Sequence, residues 1–461
     1  MTDRTGTPGS SPAGAGPGTT PSGGAGLGLW VCTALVVGNM IGSGVFLLPS
    51  SLAPFGGLSI IGWLVSAAGA VCLALVFAWL GGRLPRLGGP YAYTREGFGD
   101  FAGFWVAWAY WISIWTSNAA LAVAFVSYSS VFWPALDASP AAGAGAAVAA
   151  LWILTAVNVL GVREAGRVQL VTTVLKLLPL LAVGLFGFFS FQPDHFRPFN
   201  PSGQGTVAAV TATVTLTLWA FLGLESGTVP AADVRDPART IPRATLLGTL
   251  IAAGVYVVTT TAVMGIIAPA ELMGSAAPFA DAAARVWGPW GRGLIAAGAA
   301  VSCFGALNGW ILLSGQLPRA AALDGLLPRR LGRLTNRGTP GFALAFSSAV
   351  ATVLIAMNYT RGLVQAFTFL ILLATLATLL PYVFSTMTAA IVELREGARS
   401  GARNAGRLLV VGAAFLYSVV AIIGAGADAV YWGFLLLVLG LPVYVALRWR
   451  GEAPDPPGRE P

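Results

Sequence analysis

Two charged residues lie inside long apolar stretches of this chain, and both could do chemistry. Glu225 sits in TLWAFLGLESGTVPAADV, bracketed by Gly223 and Gly227, with Pro230 close behind. A carboxylate carried into a membrane costs about 2.5–3.5 kcal/mol on insertion scales, so it must face a cavity or a partner. Lys176, in RVQLVTTVLKLLPLLAVG, is the single lysine of the chain. It lies about nine residues into its stretch, roughly 14 Å along a helix, which is deep for snorkelling. Its ammonium either ties helices together through backbone carbonyls or releases and regains a proton. A third stretch, GNMIGSGVFLLPS at residues 38–50, places Gly42, Ser43 and Gly44 in the middle of an apolar run from Leu29 to about Leu52. Glycine is roughly 1 kcal/mol worse than alanine in a helix. Backbone freed from a helix is tolerated at membrane depth only where protein or a watery cavity satisfies it. Freed N–H groups can hold an anion and freed carbonyls a cation, so the chemistry these residues suggest is binding. The same glycines could instead let helices pack closely.

The elements that must position these residues are membrane helices. Of 461 residues, 56% are hydrophobic and only 10% charged, with mean hydropathy +0.76. That is too apolar for a soluble protein with a wetted surface. About twelve segments approach the ~20-residue length that spans a bilayer. They run approximately 29–52, 58–81, 101–132, 142–160, 167–190, 206–230, 241–268, 285–317, 341–358, 362–390, 406–425 and 428–448. Residues 1–28, rich in Gly, Ser, Thr and Pro, lack the charged start and apolar core of a signal peptide and are expected to be a disordered cytoplasmic tail. Residues 449–461 form a second tail.

The formal charge of +8 does not point to nucleic acid, because the arginines fall in short loops between apolar segments. With the N-terminus inside, the cytoplasmic side receives Arg83, Arg86, Arg95, Arg163, Arg167, Arg235, Arg239, Arg243, Arg319, Arg329, Arg330, Arg333, Arg337, Arg395, Arg399, Arg403, Arg407, Arg448, Arg450 and Arg459. The other side receives Arg197, Arg285, Arg292 and Arg361. This asymmetry places both termini in the cytoplasm. Cys32, Cys72 and Cys303 all fall in apolar segments and read as buried thiols. The only histidine, His195, lies in the loop QPDHFRPFN and reads as solvated. The membrane core offers no carboxylate pair, no metal-ligand cluster and no nucleotide loop, so neither an enzyme nor a cofactor or metal is expected.

The first and sixth segments are both interrupted, five helices apart. That is the pattern of a transporter made of two inverted five-helix repeats, with substrate held where the broken helices meet. GNMIGSGVFLLPS, GGPYAYTREGFGDFAGF, YWISIWTSNAA, LWAFLGLES and RDPARTIPRA together resemble the amino acid-polyamine-organocation (APC) superfamily. Within it the chain is most similar to the bacterial arginine/agmatine and basic amino acid/polyamine antiporters, from about Leu29 to Arg448. The resemblance implies an all-α polytopic membrane protein with discontinuous helices 1 and 6. Its ten-helix transport core would cover residues 29–390 and transmembrane helices 11 and 12 residues 391–448, in a cell inner (plasma) membrane.

The resemblance also implies roles. Ile41, Ser43 and Gly44 would cradle a substrate carboxylate, and the backbone near Leu222 would take the α-amino group. Trp219 would cover the substrate as a middle gate, and Trp310 would pack on its aliphatic part. Asn118, with Ser113, Ile114 and Ala374, would line the distal end. Tyr91, Glu225 and Tyr382 match a cytoplasmic-side gate linked to acid activation. The antiporter pattern has small polar residues at Ile114, Ala306 and Ala374 and a glycine at Asn308, so the distal pocket differs here. Proton-coupled members of the superfamily carry a lysine where Lys176 stands, joining the unwound first helix to the eighth, whereas in the antiporter that position is small and apolar. Two functions follow: an antiporter exchanging a cationic amino acid for a decarboxylated amine or another amino acid, or a proton-coupled amino acid symporter using Lys176 and Glu225. The expected partners are a small-molecule amino acid or amine and the lipid bilayer, with a homodimer as the assembly the resemblance allows and no nucleic acid.

Overall fold

The computed structural model describes residues 28–84, 88–161, 177–178, 180–228, 234–358, 360, 362–400 and 404–449. Among these the protein is helical, with no strand. Backbone groups in lipid find no water, so each span closes its hydrogen bonds on itself. Among the described residues, eleven helical stretches are long and apolar enough to cross a membrane. A shorter apolar helix, Leu180–Ser190, is the described part of the expected fifth segment. The chain is a polytopic membrane protein.

The first span is broken into α1 (Leu29–Met40) and α2 (Ser43–Leu52). Then follow α3 (Leu58–Arg83), the short α4 (Pro90–Phe98), α5 (Asp100–Ser129) and α6 (Pro140–Leu160). The second broken span is α7 (Thr206–Phe221), which passes into a 3₁₀ turn at Leu224–Thr228. The remainder are α8 (Pro237–Ile266), α9 (Pro278–Trp287), α10 (Pro289–Leu323), α11 (Gly341–Asn358), α12 (Leu363–Ser400), α13 (Ala405–Ile423), α14 (Ala427–Val438) and α15 (Gly440–Trp449).

Three expected boundaries change. The segment expected at 285–317 starts later and ends later, because Gly288, at φ +78°, stops α9 and Pro289 opens α10. The tenth segment, expected to end at residue 390, continues to Ser400, so α12 is about 57 Å long at 1.5 Å per residue. The twelfth is divided in two near Gly440, where a Cβ would fall 2.8 Å from the Trp108 indole.

Burial separates the core from its outer layer. α5 is 94% buried over its apolar window and packs along α10 and α12, whereas the last span is 17% buried. α5 therefore serves as the central post. α2 is fastened to it by the Tyr128 hydroxyl, which donates to the Phe46 carbonyl at 2.7 Å. α7 is fastened by a ring cluster in which Trp63, Phe221 and Tyr256 lie 5.4–6.1 Å apart, joining α3, α7 and α8.

Candidate functional site

The two breaks meet. Ile41 leaves the helical region at φ −78°, ψ 86°, and Gly42 continues at φ −122°, ψ −137° before α2 begins. In the second break Leu222 is extended at φ −62°, ψ 137°, and Gly223 adopts φ +99°. A Cβ on Gly223 would lie 3.3 Å from the carbonyl carbon and oxygen of Asn39, and one on Gly42 would lie 3.0 Å from the Cβ of Ala306. Glycine thus eases a close approach at both points, and at Gly223 it also suits the positive φ.

Glu225 is fully buried just past the second break. The Tyr110 hydroxyl donates to its Oε1 at 2.5 Å, the Tyr382 hydroxyl to its Oε2 at 2.7 Å, and the Gly223 N–H to the same Oε2 at 3.1 Å. One carboxylate therefore pins the unwound turn to α5 and α12. Such buried networks hold firmly when every member is satisfied. Of the expected gate residues, two touch each other. Tyr382 meets Glu225, but the other hydroxyl is that of Tyr110, not Tyr91.

Tyr91 instead donates to Asp324 Oδ2 at 3.1 Å. Arg95 bridges Asp100 at 2.7 Å and Asp324 at 3.4 Å, so α4 is clamped to the end of α10. Burial, then the charge of Asp324, holds the Tyr91 hydroxyl well above the usual tyrosine range, so it stays a donor.

Spacing on the two post helices arranges the remaining candidates. Tyr110, Ile114 and Asn118 recur every four residues on α5, as do Ala374, Thr378 and Tyr382 on α12, so each set shares one face. The faces meet at a Ser113–Thr378 hydroxyl pair. Tyr110 and Tyr382 both lie two turns nearer than Asn118 and Ala374 to the arginine-rich end, where Arg83 pairs with Glu396. The Glu225 latch thus separates that end from the space above it.

That space is small. Asn39, Met40, Gly42, Leu121, Trp219, Leu222 and Trp310 line a cavity of about 10 Å³, close to the room one water needs. Trp219 and Trp310 are 6% and 4% exposed. The Trp219 indole N–H and both polar atoms of the Asn118 amide are buried with no hydrogen-bond partner among the described residues. A buried unpaired polar group costs about 1–3 kcal/mol, which a ligand could recover. Asn308 does not enlarge this polar set: its carbonyl accepts from the Asn158 amide on α6 at 2.9 Å. The side chain of Ser43 and all of Lys176 lie outside the described residues.

Sequence reasoning missed Tyr110, Asp324 and the Asn158–Asn308 pair. His195 is half-buried, with its Nδ1 enclosed and unpartnered among the described residues. Among the described residues no group of three or more His, Cys, Asp and Glu could hold a metal.

A family model described as amino acid permease matches residues 27–446. The chain belongs to that family. Among curated proteins, this permease is 34% identical over 426 residues to the cadaverine/lysine antiporter of Escherichia coli (strain K12), covering 91% of this chain and 94% of that one. It is 33% identical over 430 residues to the putrescine transporter PotE of the same strain, covering 92% and 97%. It is 32% identical over 425 residues to PotE of Haemophilus influenzae, again covering 92% and 97%. The expected APC membership thus stands on nearly the whole length of the permease.

Proposed function

We propose that this permease is a secondary transporter that exchanges a cationic amino acid for a decarboxylated amine, or for another amino acid, by alternating access. The observation that carries this is the first turn of α2. It begins in the protein interior at Gly42 with no side-chain cap, beside a cavity walled by Trp219 and Trp310. A helix N-terminus without a cap offers its free N–H groups to an anion, here the substrate carboxylate held around Ile41, Ser43 and Gly44. Carbonyls freed at Leu222 receive the α-ammonium. Trp219 and Trp310 enclose the methylene chain, and Asn118, with Ser113, Ile114 and Ala374, meets its far end. A diamine keeps the ammonium contacts and gives up only those of α2.

The names of the relatives suit such a pair, since lysine and cadaverine differ by one carboxyl group. Apolar Ile114, Ala306 and Ala374 favour an ammonium on a methylene chain over a guanidinium. Glu225, Tyr110 and Tyr382 form the gate toward the arginine-rich end, which faces the cytoplasm together with both termini, and the membrane is the cell inner (plasma) membrane.

Exchange is tested in proteoliposomes. Labelled cadaverine or putrescine should enter only when lysine or ornithine is loaded inside, and Gly44→Val or Trp219→Leu should abolish or impair entry. Uptake into empty liposomes driven by an acidic exterior, and lost in Lys176→Ala, would replace exchange with proton symport. Sidedness is read from single cysteines at Arg330 and Asp137, which should label from opposite faces.

A further inference from the structure

Away from the helix breaks, a cavity of about 520 Å³ opens between α3, the start of α8 and the start of α13. Pockets that hold small ligands run roughly 300–1,000 Å³. We propose that this cavity binds one anionic phospholipid of the surrounding membrane, with its phosphate on Arg83 and Arg407 and an acyl chain along α3 and α13.

Its lining is layered. At the rim the guanidinium of Arg83 lies 4.8 Å, and that of Arg407 5.7 Å, from the centre of the Trp79 ring. Both belong to helix ends, Arg83 to the last turn of α3 and Arg407 to the first turn of α13. That is the headgroup level, where tryptophan and arginine concentrate. One turn deeper the walls are Leu75, Val76, Val410 and Val411. A phospholipid carries charge and hydrocarbon in this same order. A soluble anion would use the rim and leave the apolar floor unexplained.

Two observations point to lipid in particular. The walls continue into the membrane, because α13 is only 28% buried over its apolar window and Leu75 is exposed. The rim also keeps donors for a phosphate: Arg83 and Arg407 are each paired with one glutamate, yet neither uses all its N–H groups there. Arg83 gives two N–H groups to Glu396 and Arg407 gives one to Glu393, out of the five that each guanidinium owns. In sequence, residues 391–407 hold four arginines against two glutamates, and Arg239 and Arg243 neighbour Ala238 and Pro242 of the α8 wall. Basic pockets between helices at a membrane surface take anionic headgroups.

The cavity also touches the transport core without being part of the exchange site. α3 and α8 both pack, beside α1, against the 3₁₀ turn holding Glu225. Lipid seated here would brace that turn from outside, whatever the permease carries.

The test is native mass spectrometry of the full-length permease released from nanodiscs made of equal parts phosphatidylcholine and phosphatidylglycerol. The wild type should retain phosphatidylglycerol in preference to phosphatidylcholine by roughly 10- to 30-fold, the scale set by two basic residues at an anionic surface. Arg83→Gln combined with Arg407→Gln should abolish the preference. Val410→Trp, which fills the apolar floor and leaves every charge in place, should lower total retention. Arg330→Gln combined with Arg333→Gln, basic residues outside the cavity, should change neither. Absence of preference in the wild type, wild-type retention in either cavity variant, or equal loss in the outside pair would overturn the proposal. So would displacement of the lipid by inorganic phosphate alone.

Discussion

The two broken helices solve one problem in opposite ways. At the second break the chain supplies its own acceptor: Glu225 takes the Gly223 N–H and two tyrosine hydroxyls, so that turn is closed upon itself. At the first break no such staple is present among the described residues. There the α2 N-terminus has no side-chain cap, and its surroundings include the methyl of Ala306, Leu121 and two indoles. One break is stapled by the protein itself, whereas the other borders the cavity between Trp219 and Trp310. On the proposed function, the first would move and the second would bind.

The largest expected effect comes from denying the joint its backbone. Gly223→Val forces a β-branched residue to a positive φ, which costs on the order of 1–3 kcal/mol, and drives its side chain against Asn39. Exchange by purified, monodisperse protein should be lost. Activity near wild type would mean that the two breaks need not touch.

Next is the staple itself. Glu225→Gln replaces one of the two acceptor oxygens that three donors share with an N–H₂ donor, so one donor of the staple loses its acceptor, at about 1–3 kcal/mol. Protonation of the wild-type carboxyl does the same reversibly, so the mutant should show a flattened pH–activity profile. Tyr110→Phe should resemble Tyr382→Phe, each altering the profile more than Tyr91→Phe. If Tyr91→Phe alters it most, the latch has been assigned to the wrong tyrosine.

A smaller change tests the open break. Gly42→Ala places a methyl 3.0 Å from Ala306, so binding should weaken several-fold, at about 1 kcal/mol. Ala306→Gly should restore it in a double-mutant cycle. Failure of rescue would argue that Gly42 matters for its conformation alone.

The smallest effect belongs to the outer clamp. Asp324 is 41% exposed at its side chain, so its ion pair with Arg95 contributes less than about 1 kcal/mol. Tyr91→Phe should lower the unfolding temperature slightly. The Tyr91 hydroxyl is held above its ordinary value near 10, so the clamp is intact below about pH 10 and weakens only as pH rises beyond that. The difference between wild type and Tyr91→Phe should therefore be constant across about pH 6–8.

Most of the helices could be read directly, because a lipid-exposed segment must be apolar over its whole length. Glu225 announced itself by the cost of its charge, and the breaks by their glycines. Tyr110 gave no such signal. It is one aromatic among many in α5, and its partner lies 115 residues away, so only the folded pairing distinguishes it. Tyr91, in a polar loop motif, gave no sign in the sequence that its hydroxyl pairs with Asp324. The division near Gly440 was legible in principle, since Gly440 and Pro442 stand close together, but an apolar run of spanning length concealed it. Asn308 was visible as an odd residue. Its partner on α6 was not, since helix contacts across a bundle leave no periodic trace.

A chamber that leaves room for a single water between Trp219 and Trp310 weakens every ligand it accepts. An amino acid can enter only through a roomier conformer, and the measured dissociation constant is the intrinsic one divided by the fraction of molecules in that conformer. At about 1% occupancy, binding is about a hundredfold weaker than the contacts alone would give. On the proposed site, affinity is governed by how often the two indoles part, and a substitution remote from the substrate that props them open should tighten binding without adding one contact.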